Sequence, residues 1–236
     1  MQASVQPRYP LLYSLRGFRY CDLLLTGPER AAWQVVLFPE RLPLSVSHGL
    51  ENADHVKACR DIEQRANQTL AWVTQTNWPL DIALDNLTLG RMALYQELLT
   101  INSNGPEHPA KHAEHPYYTA ARKYISAAVN GFRRAGTMDF LPYGLLSRAW
   151  LYFIGGQAEA ARADLDEVWQ ITERGPMRLF VADIHLYRAR LFHNERPYPW
   201  DSAHTDLTTA RQLIEQCGYW RRKQELEDAE YAALSW

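Results

Sequence analysis

The chain has 236 residues, 47% of them hydrophobic and 22% charged, with a net charge of −2. That is the composition of a globular chain long enough to bury a sizeable core, and its near-neutral balance argues against nucleic acid or an anionic membrane as the default partner. The three cysteines, Cys21, Cys59 and Cys217, are far apart and form no CxxC pair, which argues against a disulfide framework or a zinc ribbon and points to a reducing cytoplasm.

The opening MQASVQPRYP lacks the apolar stretch of a signal peptide. Apolar runs such as Val35-Val36-Leu37-Phe38 are too short to span a bilayer. Strand alternation is weak, whereas helical periodicity is strong in segments rich in Ala, Leu, Arg, Glu and Gln. The pattern predicts helices over residues 10–25, 54–75, 79–100, 117–135, 142–155, 158–174, 177–193, 203–217 and 220–234. Asp54 is a candidate N-cap. Gly136, Gly175 and Gly218 suit left-handed C-terminal caps, and Pro79, Pro142 and Pro176 suit first helical turns.

Two stretches interrupt this order. Residues 26–52 hold Pro28, Pro39, Pro43 and Gly49 and predict a short helix over 29–37 followed by an irregular connection. Residues 102–116 are rich in Asn, Gly, Pro and His and predict an exposed loop. Neither reads as a linker between domains, so a single domain over 1–236 is expected.

Four segments share an internal pattern, with Ala followed four residues later by an apolar residue and three later by a small or apolar one. They are Ala66/Leu70/Val73, Ala128/Phe132/Ala135, Ala161/Leu165/Val168 and Ala210/Ile214/Cys217. The spacing keeps all three side chains on one helix face. A second pattern, a small residue followed three later by an aromatic or apolar one, occurs at Gly17/Tyr20, Gly90/Ala93, Ala149/Tyr152 and Ala189/Phe192. The most complete unit is 142–175. Its spacing resembles the tetratricopeptide repeat, a helix–turn–helix unit of about 34 residues. The resulting expectation is all-α: antiparallel helix pairs stacked as a right-handed solenoid, made irregular by two long loops.

The segments YSLRGFRYCDLLL (13–25), LDIALDNLTLGR (80–91), AVNGFRRAG (128–136), LPYGLLSRA (141–149), ARADLDEVWQI (161–171), RGPMRL (174–179) and CGYWRRKQELED (217–228) carry a more specific likeness. Together they resemble the repeat region that follows the nucleotide-binding module of bacterial STAND-type (NACHT/NB-ARC-like) signalling ATPases. The resemblance implies a sensor array that binds a ligand or partner and relays that event to an effector. There is no G-x-x-x-x-G-K-[ST] motif, so the resemblance implies the sensor without its motor, as a fragment of a larger protein or a stand-alone relative.

In a helix-pair solenoid the first helix of each pair lines the concave groove. Registering on Gly17, Gly90, Ala149 and Ala182 places Phe18, Asp22, Arg91, Tyr95, Trp150, Asp183 and Tyr187 in it. Such a mixed aromatic and charged surface suits a protein or peptide partner. The alternative register on Ala189 places Arg190 and His193 there.

Other candidates carry weaker signals. His108, His112 and His115 are spaced for metal binding but are interrupted by Pro109 and Pro116 and lack the H-E-x-x-H order. Arg221/Arg222, beside Tyr219 and Trp220, suit a solvated helix end or stacking on a base, with the acids of 225–230 opposing phosphate. No G-x-S-x-G motif or carboxylate dyad is present. The expectation is therefore a non-catalytic interaction module without cofactor or metal, acting as a sensor or adaptor in bacterial signalling or defence. A metal-dependent hydrolase using the 108–115 loop, or a structural subunit of a larger complex, is the alternative. The sequence leaves the oligomeric state open.

Overall fold

A computed structural model describes residues 10–39, 46–101 and 115–236. Among these residues there is no strand, and ten α-helices follow in order: α1 (Ser14–Leu24), α2 (Thr26–Leu37), α3 (Val46–Thr76), α4 (Pro79–Ile101), α5 (Pro116–Ala135), α6 (Leu141–Ile154), α7 (Ala158–Glu173), α8 (Arg178–Phe192), α9 (Ala203–Cys217) and α10 (Lys223–Ala233). A 3-10 turn, Trp220–Arg222, leads into α10. No helix of the described residues is long and apolar enough to cross a membrane.

Consecutive helices from α3 to α9 pack against one another. Small residues let α4 and α5 approach closely. A Cβ on Gly90 would lie 2.5 Å from the Ile125 side chain and 2.9 Å from its backbone nitrogen, and one on Gly131 would lie 2.7 Å from Ala83 Cβ. The leading alanines of the repeat pattern, Ala66, Ala128, Ala161 and Ala210, are all buried, as a close-approach position requires.

Local stops follow the chemistry of the termini. Gly136 and Gly218 adopt the left-handed conformation (φ 67° and 62°) and end α5 and α9. There the N–H of Gly136 donates to Arg133 and that of Thr137 to Phe132; Gly218 and Tyr219 repeat the arrangement on Glu215 and Ile214, closing carbonyls that the helix leaves open. Gly175 does not follow this pattern: α7 closes on Arg174 in the right-handed region, and the Gly175 carbonyl instead accepts from Met177 N–H. Ser202 caps α9 by accepting from Thr205 N–H at 3.0 Å.

The stretch 26–52 differs most from expectation. It is not a long loop, because α2 begins at Thr26 and α3 already starts at Val46. Asp54 therefore lies inside α3 and does not cap it. Helices α1 and α2 do not form a hairpin either. Only Leu25 separates them, in the right-handed region, and helical hydrogen bonds continue through it, Leu25 N–H to Cys21 and Glu29 N–H to Leu25. Pro28 cannot donate to the Leu24 carbonyl. It sits in the first turn of α2, where a missing N–H is tolerated. The other expected loop, 102–114, lies outside the described residues.

Two apolar clusters result. The larger runs from Phe18 and Trp33 through α3 to α8, and the smaller joins Leu37 to alanines and leucines of α8, α9 and α10. Helix α8 serves both, giving Ile184, Tyr187 and Leu191 to the first and Ala182, Leu186 and Ala189 to the second.

Candidate functional site

The seven residues that the repeat register selects come from α1, α4, α6 and α8, and five of them, Asp22, Arg91, Tyr95, Trp150 and Tyr187, form one chain of contacts. Arg91 Nη1 donates to Asp22 at 2.6 Å and Arg91 Nε to Tyr95 Oη at 2.9 Å. The Tyr95 ring lies 5.6 Å from Trp150, and Trp150 stands edge-on to Tyr187 at 6.2 Å. Phe18 packs edge-on to Tyr143 of α6. Asp183 accepts from Arg222 Nε at 2.8 Å and from Tyr219 Oη at 3.2 Å. Arg190, from the alternative register, reaches the same place, whereas His193 stacks on Trp236.

These residues do not line an open surface. Phe18, Asp22, Arg91, Tyr95, Trp150, Asp183 and Tyr187 are all buried. Two elements cover them, helix α2 from one end of the chain and the 3-10 turn with α10 from the other. Glu29 of α2 accepts from Arg91 Nη2 at 2.9 Å and from Arg222 Nη1 at 3.0 Å. Trp33 of α2 stacks on Trp150, with ring centres 3.6 Å apart and planes 12° from parallel; it meets Tyr187 edge-on at 5.0 Å, and the Arg190 guanidinium lies 4.0 Å over it. Arg222 and Arg190 both donate to Glu225, at 2.6 and 2.9 Å, while Arg221 pairs with Asp22. Nearer the surface, Arg30 and Gln34 of α2 bond to Asp228 of α10 at 2.7 and 3.1 Å. The two ends of the chain thus clasp across the inner face.

Four acids (Asp22, Glu29, Asp183, Glu225) and four arginines (Arg91, Arg190, Arg221, Arg222) share this space. Buried charges persist only when paired and hydrogen-bonded, and here each sign meets its opposite. Burial would raise the Asp22 carboxyl, yet Arg91 and Arg221 outweigh it and hold it well below the usual carboxylate range. The same competition, with Arg222 and Arg190 opposing burial, lowers Glu225.

Sequence reasoning missed the covering residues. Arg221/Arg222 read as a solvated end, but Arg222 is buried because the acids that follow it in sequence, and Glu29 far from it, supply its partners. Glu29, Trp33 and Leu37 recur every fourth residue, a buried helix stripe that was visible in the sequence but not connected to the groove.

A second buried acid lies outside this network. Asp85 of α4 accepts from Thr69 Oγ1 of α3 at 3.0 Å, while its other oxygen, Oδ2, has no hydrogen-bond partner. Burial chiefly, reinforced by Asp81, pushes it up to about 7 against the pull of Thr69 and Arg65. Cys21 of α1 faces the same corner and is pushed up to about 11 by burial; as a neutral thiol it is a packing residue rather than a nucleophile.

Of the histidine cluster, His108 and His112 lie outside the described residues. His115 sits at the start of α5, with its Nδ1 2.5 Å from the buried Glu97 carboxylate. Among the described residues no group of three or more His, Cys, Asp or Glu is placed to hold a metal ion. Compared with known proteins, the chain matches no family model, no curated sequence and no solved structure.

Proposed function

We propose that the chain is a non-catalytic interaction module: an irregular, tetratricopeptide-like stack of helix pairs whose inner face receives a protein or peptide partner. The observation that carries this reading is the convergence of Asp22, Arg91, Tyr95, Trp150, Asp183 and Tyr187 on one network. Helices of a repeat array must turn equivalent positions to a common side, and residues up to 165 positions apart were selected by that rule alone. The charged and aromatic character of the face is the chemistry of peptide recognition. Arginines lower Asp22 and Glu225 below their ordinary values, which suits recognition better than proton transfer at neutral pH.

Within this proposal the protein acts in the cytoplasm as a ligand- or partner-sensing region or adaptor in bacterial signalling or defence, as the likeness to STAND-type sensor arrays implies. Purification of the tagged full chain from its native cells, after chemical cross-linking, tests it. A stoichiometric co-purifying polypeptide is the expected result. A stoichiometric metal ion with no polypeptide would overturn the reading in favour of a metal enzyme.

A further inference from the structure

We infer that the turns joining α5 to α6 and α7 to α8, together with the 3-10 turn before α10, form a second docking surface. It takes an acidic segment of a partner protein, anchored by one large apolar side chain. The inference adds to the interaction-module reading and stands on residues outside the inner face, so the two can fail separately.

Three observations lead to it. First, equivalent turns lie side by side. Residues 131–140 and 171–180 alternate between buried and exposed in the same order, position for position. Each stretch ends on a half-buried phenylalanine, Phe140 or Phe180, and both rings meet Tyr143, at 6.4 and 4.6 Å. The 3-10 turn adjoins them: Arg178 donates to Gln216 at 2.5 Å, and Tyr219 donates to Asp183 at 3.2 Å. Met138, Leu179 and Trp220, one from each turn, are exposed. Single exposed apolar side chains are ordinary, but a row of them at adjoining turns marks an interaction surface.

Second, the surface holds a recess for an anchor. A cavity of about 390 Å³ lies between the two turns, lined by Asp139 on one side and by Pro176, Met177, Arg178, Leu179 and Phe180 on the other. Most of its walls are apolar, and its size falls in the small-ligand range, enough for one aromatic or leucine side chain. A single anchor in such a pocket carries much of the affinity of a peptide or protein contact.

Third, the charge around the recess is unbalanced. Arg134, Arg174 and Arg178 are exposed, as is Arg19, which follows the Phe18 that packs on Phe140 and Tyr143. None of these arginines forms an ion pair among the described residues. Other charges at these turns are already matched, Arg133 by Glu167, Arg221 by Asp22 and Lys223 by Glu227. The exposed acids here are Asp139 and Glu173. An excess of unpaired arginine selects carboxylates. With Asp139 at the recess itself, the sign changes over a few residues. A peptide can place its carboxylates against the arginines and spare Asp139, whereas a uniformly negative membrane or phosphate chain cannot. A second copy docked two-fold through the same face would set arginine against arginine.

A display library of random peptides, panned on the immobilised full chain, is the probe. Sequences with an aromatic or leucine residue among Asp and Glu are expected to be enriched. Fluorescein-labelled copies should bind roughly tenfold or more weakly to Leu179→Asp and to Arg174→Glu/Arg178→Glu, and binding should weaken as salt is raised. Both variants change exposed side chains, and circular dichroism checks that they are folded. Arg174→Lys/Arg178→Lys should retain most of the binding, and a photo-cross-linker beside the anchor should label residues 137–140 or 176–180.

Enrichment of no acidic class, equal affinity for the variants and the unaltered chain, or cross-links elsewhere would each overturn the proposal. So would phosphatidylserine vesicles that bind the chain and are lost in Arg174→Glu/Arg178→Glu while no peptide is enriched, which would assign the surface to a membrane. A dimer that Leu179→Asp dissociates would assign it to a second copy of the chain. No enriched peptide while a native polypeptide still co-purifies removes this inference and leaves the module reading intact. Peptide binding at these turns with no co-purifying polypeptide does the reverse.

Discussion

Helix α1 presents neighbouring residues to two buried environments that treat a carboxylate in opposite ways. On the inner face, Asp22 touches two arginines and is driven below the usual carboxylate range. At the corner between α1, α3 and α4, where Cys21 points, Asp85 has one hydroxyl donor and an unpartnered oxygen, and it is pushed up to about 7. Depth does not separate them, since both side chains are well buried. The number of cationic donors does, and with it the direction in which each region responds to pH and to substitution.

The largest effect that would break this comparison is loss of a shared cation. Arg222 serves Glu29, Asp183 and Glu225 at once, so Arg222→Leu leaves three buried acids short of a partner. Removing one member of a buried ionic group costs about 3–5 kcal/mol, which urea denaturation would read as a much lower midpoint with little change in slope. A loss under about 1 kcal/mol would mean that the inner face is wet or already open.

Asp85 is the opposite case. Its folded value, about 7, lies above its ordinary value of 3.8. The native state therefore retains a proton that the unfolded chain has released, and Asp85 lowers stability progressively as pH rises from about 4 to about 7. Asp85→Asn keeps a group able to accept from Thr69 and removes the charge. It should raise stability at pH 8 by on the order of 2 kcal/mol and flatten the pH profile over that range. Loss of stability at pH 8 would show that the ionised carboxylate is already compensated.

Asp22 and Glu225 set a contribution of opposite sign. Both have lowered values in the folded state. Their stabilisation is complete above the ordinary carboxylate range and disappears as pH falls through and below it. Thermal melts from pH 5 down to pH 2 should show a steep loss, and in the Asp22→Asn variant that loss should be shallower. The smallest effect is expected at the surface. Arg133 and Glu167 pair at 2.7 Å with both side chains about two-fifths exposed, and Arg133→Ala should cost less than about 1 kcal/mol at any pH.

The all-helical class was legible because 3.6-residue periodicity and end signals are local: Gly136, Gly218, Pro79 and Pro142 all act where the sequence put them. The buried face of several helices was legible for a related reason. Small residues such as Gly90 mark where helices touch, and the turn of the helix then fixes which neighbours face inward. Gly175 and Asp54 misled because each looked like a terminus while the surrounding chain continued or closed differently.

The sequence by itself determined the helical class and most helix ends, since these depend on residues within a few positions of one another. Only the tertiary structure decided that the inner face is closed. That outcome depends on Arg221 reaching Asp22, Arg222 reaching Glu29 and Trp33 lying flat on Trp150, contacts between residues more than one hundred positions apart. Their pairing is set by how the helices stack.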